Sequence, residues 1–289
     1  MSVQGVRVID AHVHFWDPSG LRYPWLEAEP ALAAPFLPSA YAPLASGEVD
    51  AVVFVEANPA PDLAADEVAW VNDLADSEPR IAGIVAFVDL LDEARRDASL
   101  ARLNRTPRVV GVRHNIQHQP AGFALQPAFV RGVKAVGASG RSFDLCITAD
   151  QMDEVITLVE RCPDVTFVLD HCGKPAIRDD AFDAWARALE RLASHDRVSC
   201  KISGLLTESR EDQRSADVLA RWIEPVRACF GTHRLLYGSD WPVCTLAGGA
   251  GRWRAIVDAV TASWPLAERQ ALFADNASRI YGLSVPVHG

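Results

Sequence analysis

The stretch VRVIDAHVHFWDP, residues 6–18, is an apolar run with two histidines near its end. His12 and His14 are two residues apart, and side chains at i and i+2 of a strand point to the same side. The pattern therefore predicts a strand from which both imidazoles, together with Asp10, emerge on one face. Such a pair converges on a shared partner, and the other His and Asp residues of the chain indicate what that partner is.

Seven further apolar runs follow along the chain, each bounded by turn residues. Most are short, β-branched and nearly continuously apolar, which is typical of strands buried on both faces in a parallel sheet. Between them lie segments such as Asp150–Cys162, with apolar residues at helical spacing. Eight such alternations without an internal boundary predict an α/β fold, a single-domain (β/α)8 TIM barrel over residues 1–289. The predicted strands are Val6–Phe15, Ala51–Glu56, Ile81–Val88, Val109–Asn115, Ser142–Thr148, Thr166–Asp170, Val198–Ile202 and Leu235–Gly238.

The composition narrows the classes of partner. A formal net charge of −10 disfavours nucleic acid and anionic membranes. The chain has neither an apolar stretch of transmembrane length nor a secretory leader pattern, so we expect a cytoplasmic protein. Its 6 cysteines include no CxxC pair, which predicts buried thiols rather than a zinc ribbon or a redox dithiol. The oligomeric state stays open, with a homodimer as one alternative.

The segment 17–44 is the longest departure from the alternating pattern, and it is rich in Pro, Trp and Tyr. It follows strand 1 directly, so in a barrel it lies over the mouth. Ordinary strand–helix connections run to only a few residues. We therefore predict a lid or pocket wall that contributes Trp16, Tyr23 and Trp25. The alternative is a segment that packs only on the rim or on a second subunit.

Polar residues at the carboxyl ends of the predicted strands define a candidate site, because barrel enzymes carry their active sites there. His12 and His14 end strand 1, His171 follows strand 6, and Asp240 follows strand 8 in LLYGSDWPV. This convergence favours a catalytic cluster over a simple helix cap at Asp240. The histidines predicted to lie outside the site are His195 and His233, which precede strands 7 and 8, and His288 in the tail.

A ring of further residues at the same rim is predicted to bind the substrate. Arg113 is the leading candidate, since its planar fork can hold a carboxylate or lactone oxygen with two hydrogen bonds. The alternative for Arg113 is an ion pair with Glu56 or Asp144 and no contact with substrate. The lysines Lys174 and Lys201 could instead balance carboxylates. The remaining predicted substrate contacts are His114, Glu56, Trp16, Trp25, Lys174 and Trp241.

Five motifs, IDAHVHFWDP, GVRH, LDHCGKP, YGSDWP and NASRIYGL, together resemble the amidohydrolase superfamily in their order along the chain. The similarity is greatest to its lactonase branch, which acts on L-fuconolactone, L-rhamnonolactone and 2-pyrone-4,6-dicarboxylate. The resemblance implies a barrel hydrolase in which Asp240 takes a proton from water. It also implies that His12, His14 and His171 surround the substrate carbonyl.

The chain departs from the wider superfamily on two strands. Strand 4 carries Arg113 and His114 in place of a carbamylatable lysine, and strand 5 ends in DLCIT without a histidine. The bridge of a two-metal site is therefore missing. The resemblance implies at most one Zn²⁺, for which His12, His14, His171 and Asp240 are a suitable set of ligands. The lactonase branch also includes members that need no metal.

The predicted function is hydrolysis of a sugar lactone, an aldono-1,4- or 1,5-lactone of the L-fucono or L-rhamnono type. Water attacks with Asp240 as general base, and no GxSxG motif offers a covalent nucleophile. One alternative is a Zn²⁺-dependent decarboxylase of an aromatic or muconate-type acid. Another is a non-catalytic binder of sugar acids on a barrel scaffold.

Overall fold

The computed structural model describes residues 6–284 and contains eight parallel strands in sequential order, β1 to β8. The sheet nearly closes on itself: the His14 backbone N–H donates to the Trp241 carbonyl at 2.7 Å, and that of Asp240 donates to the His12 carbonyl at 2.9 Å. The strands are β1 (Ile9–Val13), β2 (Ala51–Val55), β3 (Ile81–Phe87), β4 (Val109–Arg113), β5 (Ser142–Leu145), β6 (Phe167–Leu169), β7 (Val198–Ile202) and β8 (Leu235–Tyr237).

Helices between the strands cover the outside of the barrel, which confirms the predicted (β/α)8 TIM barrel. The longer helices turn an apolar stripe inward, as α7 does with Leu219, Trp222 and Val226. The helices are α1 (Ala42–Ala45), α2 (Ala64–Ser77), α3 (Glu93–Leu103), α4 (Pro127–Ala138), α5 (Met152–Arg161), α6 (Phe182–Ala193), α7 (Ala216–Phe230), α8 (Gly249–Val260), α9 (Leu266–Gln270) and α10 (Asn276–Tyr281), with a π-helical turn over Ala271–Asp275.

Most strands are shorter than predicted, and β1 also differs in its register. Its register against β2 is irregular between Asp10 and Val13. The expected alternation is therefore broken, and Asp10 does not share a face with the two histidines. Instead its carboxylate accepts hydrogen bonds from the Ser239 backbone N–H and the Tyr41 hydroxyl. Asp10 consequently braces the turn after β8.

The lower end of the barrel is filled by the C-terminal helix α10. The Tyr281 hydroxyl donates to Asp144 Oδ2 at 2.6 Å, and the Lys201 ammonium lies 5.5 Å from the centre of the Tyr281 ring. Apolar side chains of β1 and β2, such as Ile9 and Val53, pack beside it.

The segment 17–44 folds into short helical turns, and its beginning is closed by antiparallel backbone hydrogen bonds between Trp16 and Phe36. Leu26 and Leu32 of this segment are buried. Elsewhere, all 6 cysteines are free thiols; Cys229 is half-buried and the others are buried, as predicted. Among residues 6–284, the helices are too short or too polar to cross a bilayer.

Candidate active site

Four side chains from three strands meet at the carboxyl end of the barrel. Asp240 Oδ1 lies 3.7 Å from His12 Nε2, 3.5 Å from His14 Nε2 and 3.9 Å from His171 Nε2. The two Nε2 atoms of His12 and His14 are 3.1 Å apart. All four side chains are buried. The structure therefore brings together the whole predicted catalytic set around one carboxylate oxygen.

Asp240 is held in place by a strained turn. Its φ of 60° lies in the left-handed region, which costs energy for a residue with a Cβ. The turn is fixed because the preceding Ser239 N–H donates to Asp10 at 2.8 Å. A side chain at Gly238 would also collide with His12, since its Cβ would lie 2.7 Å from the His12 Cβ. Gly238 therefore allows the turn after β8 to pack directly against the β1 histidines.

His171 is positioned by a second strained turn, after β6. Both His171 and Cys172 have positive φ, of 54° and 53°. The His171 ring is oriented by Ser203 Oγ, which lies 2.9 Å from Nδ1. A Cβ at residue 204 would lie only 2.6 Å from the same nitrogen, so Gly204 leaves the space that the ring occupies.

The surroundings set the charges of this cluster. Burial lowers the pKa of His171 to about 4 and holds the pKa of His12 well below 6.5, so both rings are neutral at neutral pH. Burial opposes ionisation of Asp240, but the adjacent imidazoles outweigh that penalty and keep the pKa of its carboxyl below the usual value. The His14 Nδ1–H donates to the Val55 carbonyl at 2.8 Å, which orients the ring so that Nε2 faces Asp240.

A network of buried charges lies directly below the histidines. Lys201 Nζ is 2.7 Å from Asp144 Oδ2 and 2.9 Å from Asp170 Oδ1, and Asp170 also reaches His12 Nδ1 at 3.2 Å. Arg113 joins the network through Asp170 Oδ2 at 3.2 Å. Lys201 therefore lies inside the barrel and neutralises carboxylates, as its alternative interpretation held.

Arg113 makes an extended ion pair with Glu56, the first of the partners considered from sequence. Its Nε donates to Glu56 Oε1 at 2.6 Å and its Nη2 donates to the Glu56 carbonyl at 2.7 Å. Burial opposes the charged form of Arg113, yet the two carboxylates raise its pKa above the usual value. The guanidinium fork is thus occupied by protein groups, although Arg113 also lines the cavity described next.

A cavity of about 160 Å³ opens above the cluster. Trp16 and Trp25 form one wall, so the segment 17–44 contributes to the cavity as predicted for Trp25. Trp25 is fixed there because its Nε1–H donates to the Ala57 carbonyl at 2.8 Å. The described lining residues are His14, Trp16, Trp25, Ala57, Asn58, Arg113, Asn115, Gln117, Cys146, His171, Lys174, Asp240 and Val243.

Three predicted substrate contacts are not brought to this cavity. His114 points to the outside of β4, where its ring packs against Phe123 and its Nδ1 accepts the Leu90 N–H at 3.2 Å. Trp241 is buried against Phe36 and Tyr41. Glu56 is fully buried beneath Arg113. Successive strand residues alternate in direction, so Arg113 and His114 could not both face inward.

Besides the apolar Ala57 and Val243, sequence reasoning missed four lining residues whose side chains carry N, O or S atoms: Asn58, Asn115, Gln117 and Cys146. They follow strands β2, β4 and β5, in loops whose conformation no periodicity reveals. Lys174, which was predicted, reaches the cavity and donates to Gln117 Oε1. The one available signal was position, since each lies within four residues of a strand's carboxyl end.

The residues present suit a single zinc ion. Ligand atoms of His12, His171 and Asp240 all lie within 4.8 Å of one another, and all three residues are buried. Imidazole nitrogen and carboxylate oxygen are common zinc ligands. His14 does not belong to this mutually close set, although its Nε2 adjoins two of the three. Three of the four predicted ligands, His12, His171 and Asp240, therefore lie close enough together to share one ion, and His14 lies beside them.

The comparison with protein families agrees with this geometry. A family model described as Amidohydrolase matches residues 9–283. This chain belongs to the amidohydrolase family. An L-fucono-1,5-lactonase of Burkholderia multivorans is 35% identical over 296 residues, which cover 98% of this chain and 98% of that protein. An L-rhamnono-gamma-lactonase of Scheffersomyces stipitis is 24% identical over 200 residues, 61% of this chain and 59% of that protein.

A solved amidohydrolase structure shows the same architecture. The crystal structure of an amidohydrolase from Burkholderia multivorans with bound zinc has a TM-score of 0.86 and 32% identity, and covers 96% of this chain and 100% of that one. With a family model that spans the barrel and an intact cluster at its mouth, the chain is an amidohydrolase-family enzyme.

Proposed function

We propose that this amidohydrolase opens a sugar lactone, an aldono-1,4- or 1,5-lactone of the L-fucono or L-rhamnono type, to the free hydroxy acid. The observation that carries the proposal is Asp240 Oδ1, which lies within 3.9 Å of three imidazole nitrogens at the base of a partly aromatic cavity. Relatives named L-fucono-1,5-lactonase and L-rhamnono-gamma-lactonase support this substrate class.

In the proposed reaction Asp240 is the general base. It is ionised at neutral pH, so it accepts one proton from water as the water oxygen attacks the lactone carbonyl carbon. The resulting tetrahedral oxyanion needs positive charge beside it, which a zinc ion held by His12, His171 and Asp240 would supply. Cleavage of the bond between the carbonyl carbon and the ring oxygen then releases an alkoxide, to which Asp240 returns the proton.

Proton transfer from water to a carboxylate is uphill, because water is a much weaker acid than a carboxyl group. The attacking water must therefore be made more acidic for the transfer to proceed. A zinc ion held by His12, His171 and Asp240 would lower the pKa of water and polarise the carbonyl. Burial of the cluster strengthens every charge interaction within it.

The decarboxylase alternative is less well supported by the cavity. An acidic substrate needs an available cation to hold its carboxylate, and Arg113 is paired with Glu56 and Asp170. Lys174 donates to the neutral Gln117 amide, so among the described lining residues it is the one cation that a carboxylate could contact. A neutral ester such as a lactone needs no such cation.

The test is a pH-indicator assay of acid release over a panel of aldonolactones and aryl carboxylates. We expect turnover of at least one 1,4- or 1,5-aldonolactone and no decarboxylation. Decarboxylation without lactone opening would contradict the proposal.

Metal analysis of protein purified without added metal should give one zinc or less per chain, and two tightly bound metals would contradict the single-ion site.

A further inference from the structure

The Asn58 side chain stands apart from the other polar groups that line the cavity. Gln117 accepts from Lys174, and Arg113 is paired with Glu56 and Asp170. By contrast, the Asn58 carboxamide has no hydrogen-bond partner within residues 6–284. Asn58 is bonded to a side chain only through its backbone N–H, which donates to Glu56 Oε2 at 2.7 Å. Its amide is exposed at the mouth and available to a ligand.

The backbone that carries this amide is held unusually firmly. Next to the Glu56 bond, the Ala57 N–H donates to Glu67 Oε1 at 3.1 Å and the Ala57 carbonyl accepts from Trp25 Nε1 at 2.8 Å. The backbone of two successive residues, Ala57 and Asn58, is therefore fixed by three side chains. These belong to the residue after β2, to α2 and to the segment 17–44. Asn58 itself has a φ of 58°, a conformation that asparagine tolerates better than most residues.

A rigid backbone with a free carboxamide is suited to recognising hydroxyl groups. The amide offers a donor and an acceptor at once, so it can bind two neighbouring hydroxyls of one ring. Arg113, the lining cation bonded to Glu56 beside Asn58, is occupied by Glu56 and Asp170, so the free polar group on this wall is the Asn58 carboxamide. The chemistry on this wall therefore matches a neutral, polyhydroxylated ring.

We infer that Asn58 is a specificity-determining residue that hydrogen-bonds ring hydroxyls of the lactone, and that the Arg113–Glu56 pair serves to position it. The inference rests on the proposed lactonase function. Glu56 joins the two roles, because one of its carboxylate oxygens accepts from Arg113 and the other from the Asn58 backbone.

The experiment separates the amide from the turn that carries it. Asn58→Gly keeps the left-handed backbone, which glycine adopts freely, and removes only the side chain. We expect kcat/KM for the best aldonolactone to fall about 10- to 100-fold, as for the loss of one or two hydrogen bonds. For δ-valerolactone, which has no ring hydroxyl, kcat/KM should change less than about twofold. The kcat/KM of Asn58→Asp for the aldonolactone should lie between those of the wild type and Asn58→Gly, because aspartate keeps an acceptor and loses the donor.

Gln119→Ala serves as the matched control, since Gln119 is an exposed amide outside the cavity. It should leave both substrates unaffected. If Asn58→Gly is harmless with both lactones, asparagine is present only for the turn and the inference is wrong. An equal loss with both lactones would also overturn it, because the residue would then act on the ester itself.

Failure of the proposed function would be recognised separately. If the wild type opens no lactone, calorimetric binding of gluconate is compared with that of pentanoate. Tighter gluconate binding that disappears in Asn58→Gly would still support hydroxyl recognition by Asn58. Equal binding of the two acids by the wild type would contradict it.

Discussion

Two buried polar layers lie one above the other in this barrel, and they differ in what their groups contact. The upper layer is the histidine cluster around Asp240, which borders the cavity. The lower layer contains Lys201 and Arg113 among the carboxylates of Glu56, Asp144 and Asp170. Both layers are buried, but apart from Arg113, which also lines the cavity, only the upper layer borders a space that a substrate can occupy.

The difference shows that burial and charge alone do not identify a catalytic group. Lower-layer charges are paired with one another at 2.6–3.2 Å, so they stabilise the barrel interior. Three carboxylates there face two cations, and the excess negative charge favours a cation in the layer above. The lower layer thus contacts the upper one through Asp170 and His12, and in the proposed reaction the upper layer performs the chemistry.

Removing the central cation of the lower layer should have the largest effect on stability. Lys201→Met keeps the side-chain length but leaves Asp144 and Asp170 without their shared ammonium. Breaking a buried ion pair in this way costs about 3–5 kcal/mol, so we expect a decrease in melting temperature on the order of 10 °C. Calorimetry measures the melting temperature, and Lys134→Met, at an exposed position of α4, is the control. An unchanged melting temperature with lost activity would place Lys201 in the chemistry instead.

Arg113 lies at the boundary between the layers, so its substitution sharpens the comparison. Arg113→Lys keeps the charge and loses the planar fork that binds Glu56 at two atoms. We expect a loss of about 1.5–3 kcal/mol in unfolding free energy, with kcat unchanged and KM raised through the displaced Asn58. The opposite result, a large fall in kcat at an unchanged melting temperature, would mean that Arg113 meets the reacting carbonyl.

His114 on the outer face of β4 gives the smallest expected effect and tests the assignment of faces. Burial lowers its pKa to about 4 from an ordinary 6.5, so the unfolded chain binds more protons between those values. Stability from this group is therefore full above pH 6.5 and is lost as the pH falls toward 4, by at most about 3 kcal/mol.

The measurement for His114 is the free energy of unfolding in denaturant between pH 4 and 7. His114→Phe should flatten its pH dependence, while lactone turnover at neutral pH stays within about twofold. A steep fall in turnover would instead place His114 at the cavity. Other buried histidines contribute to the same slope, so the variant removes only part of it.

Much of the fold followed from sequence because buried parallel strands are short, continuous apolar runs that alternate with amphipathic helices. The cluster followed for the same reason: His12, His14, His171 and Asp240 each end a strand, and strand ends of a barrel meet.

Details that depend on strand phase and on loops could not be predicted. Arg113 and His114 are neighbours, and only the register decides which faces inward. The irregular register of β1 turns Asp10 away from the histidines, against the simple alternation. Asn58 is held by Glu56, Glu67 and Trp25, contacts made between distant parts of the chain that leave no local pattern.

The most direct test makes the same substitution once in each layer. Asp240→Asn should leave the melting temperature near that of the wild type and reduce kcat on the best lactone about 10²- to 10⁴-fold, because an amide cannot accept the proton of water. Asp144→Asn should lower the melting temperature by several degrees and leave kcat of the folded protein within about tenfold. Calorimetry and steady-state kinetics on both proteins provide the comparison. Asp240→Asn with less than about a tenfold loss of kcat, or Asp144→Asn with the larger loss of the two, would contradict the division of roles between the layers.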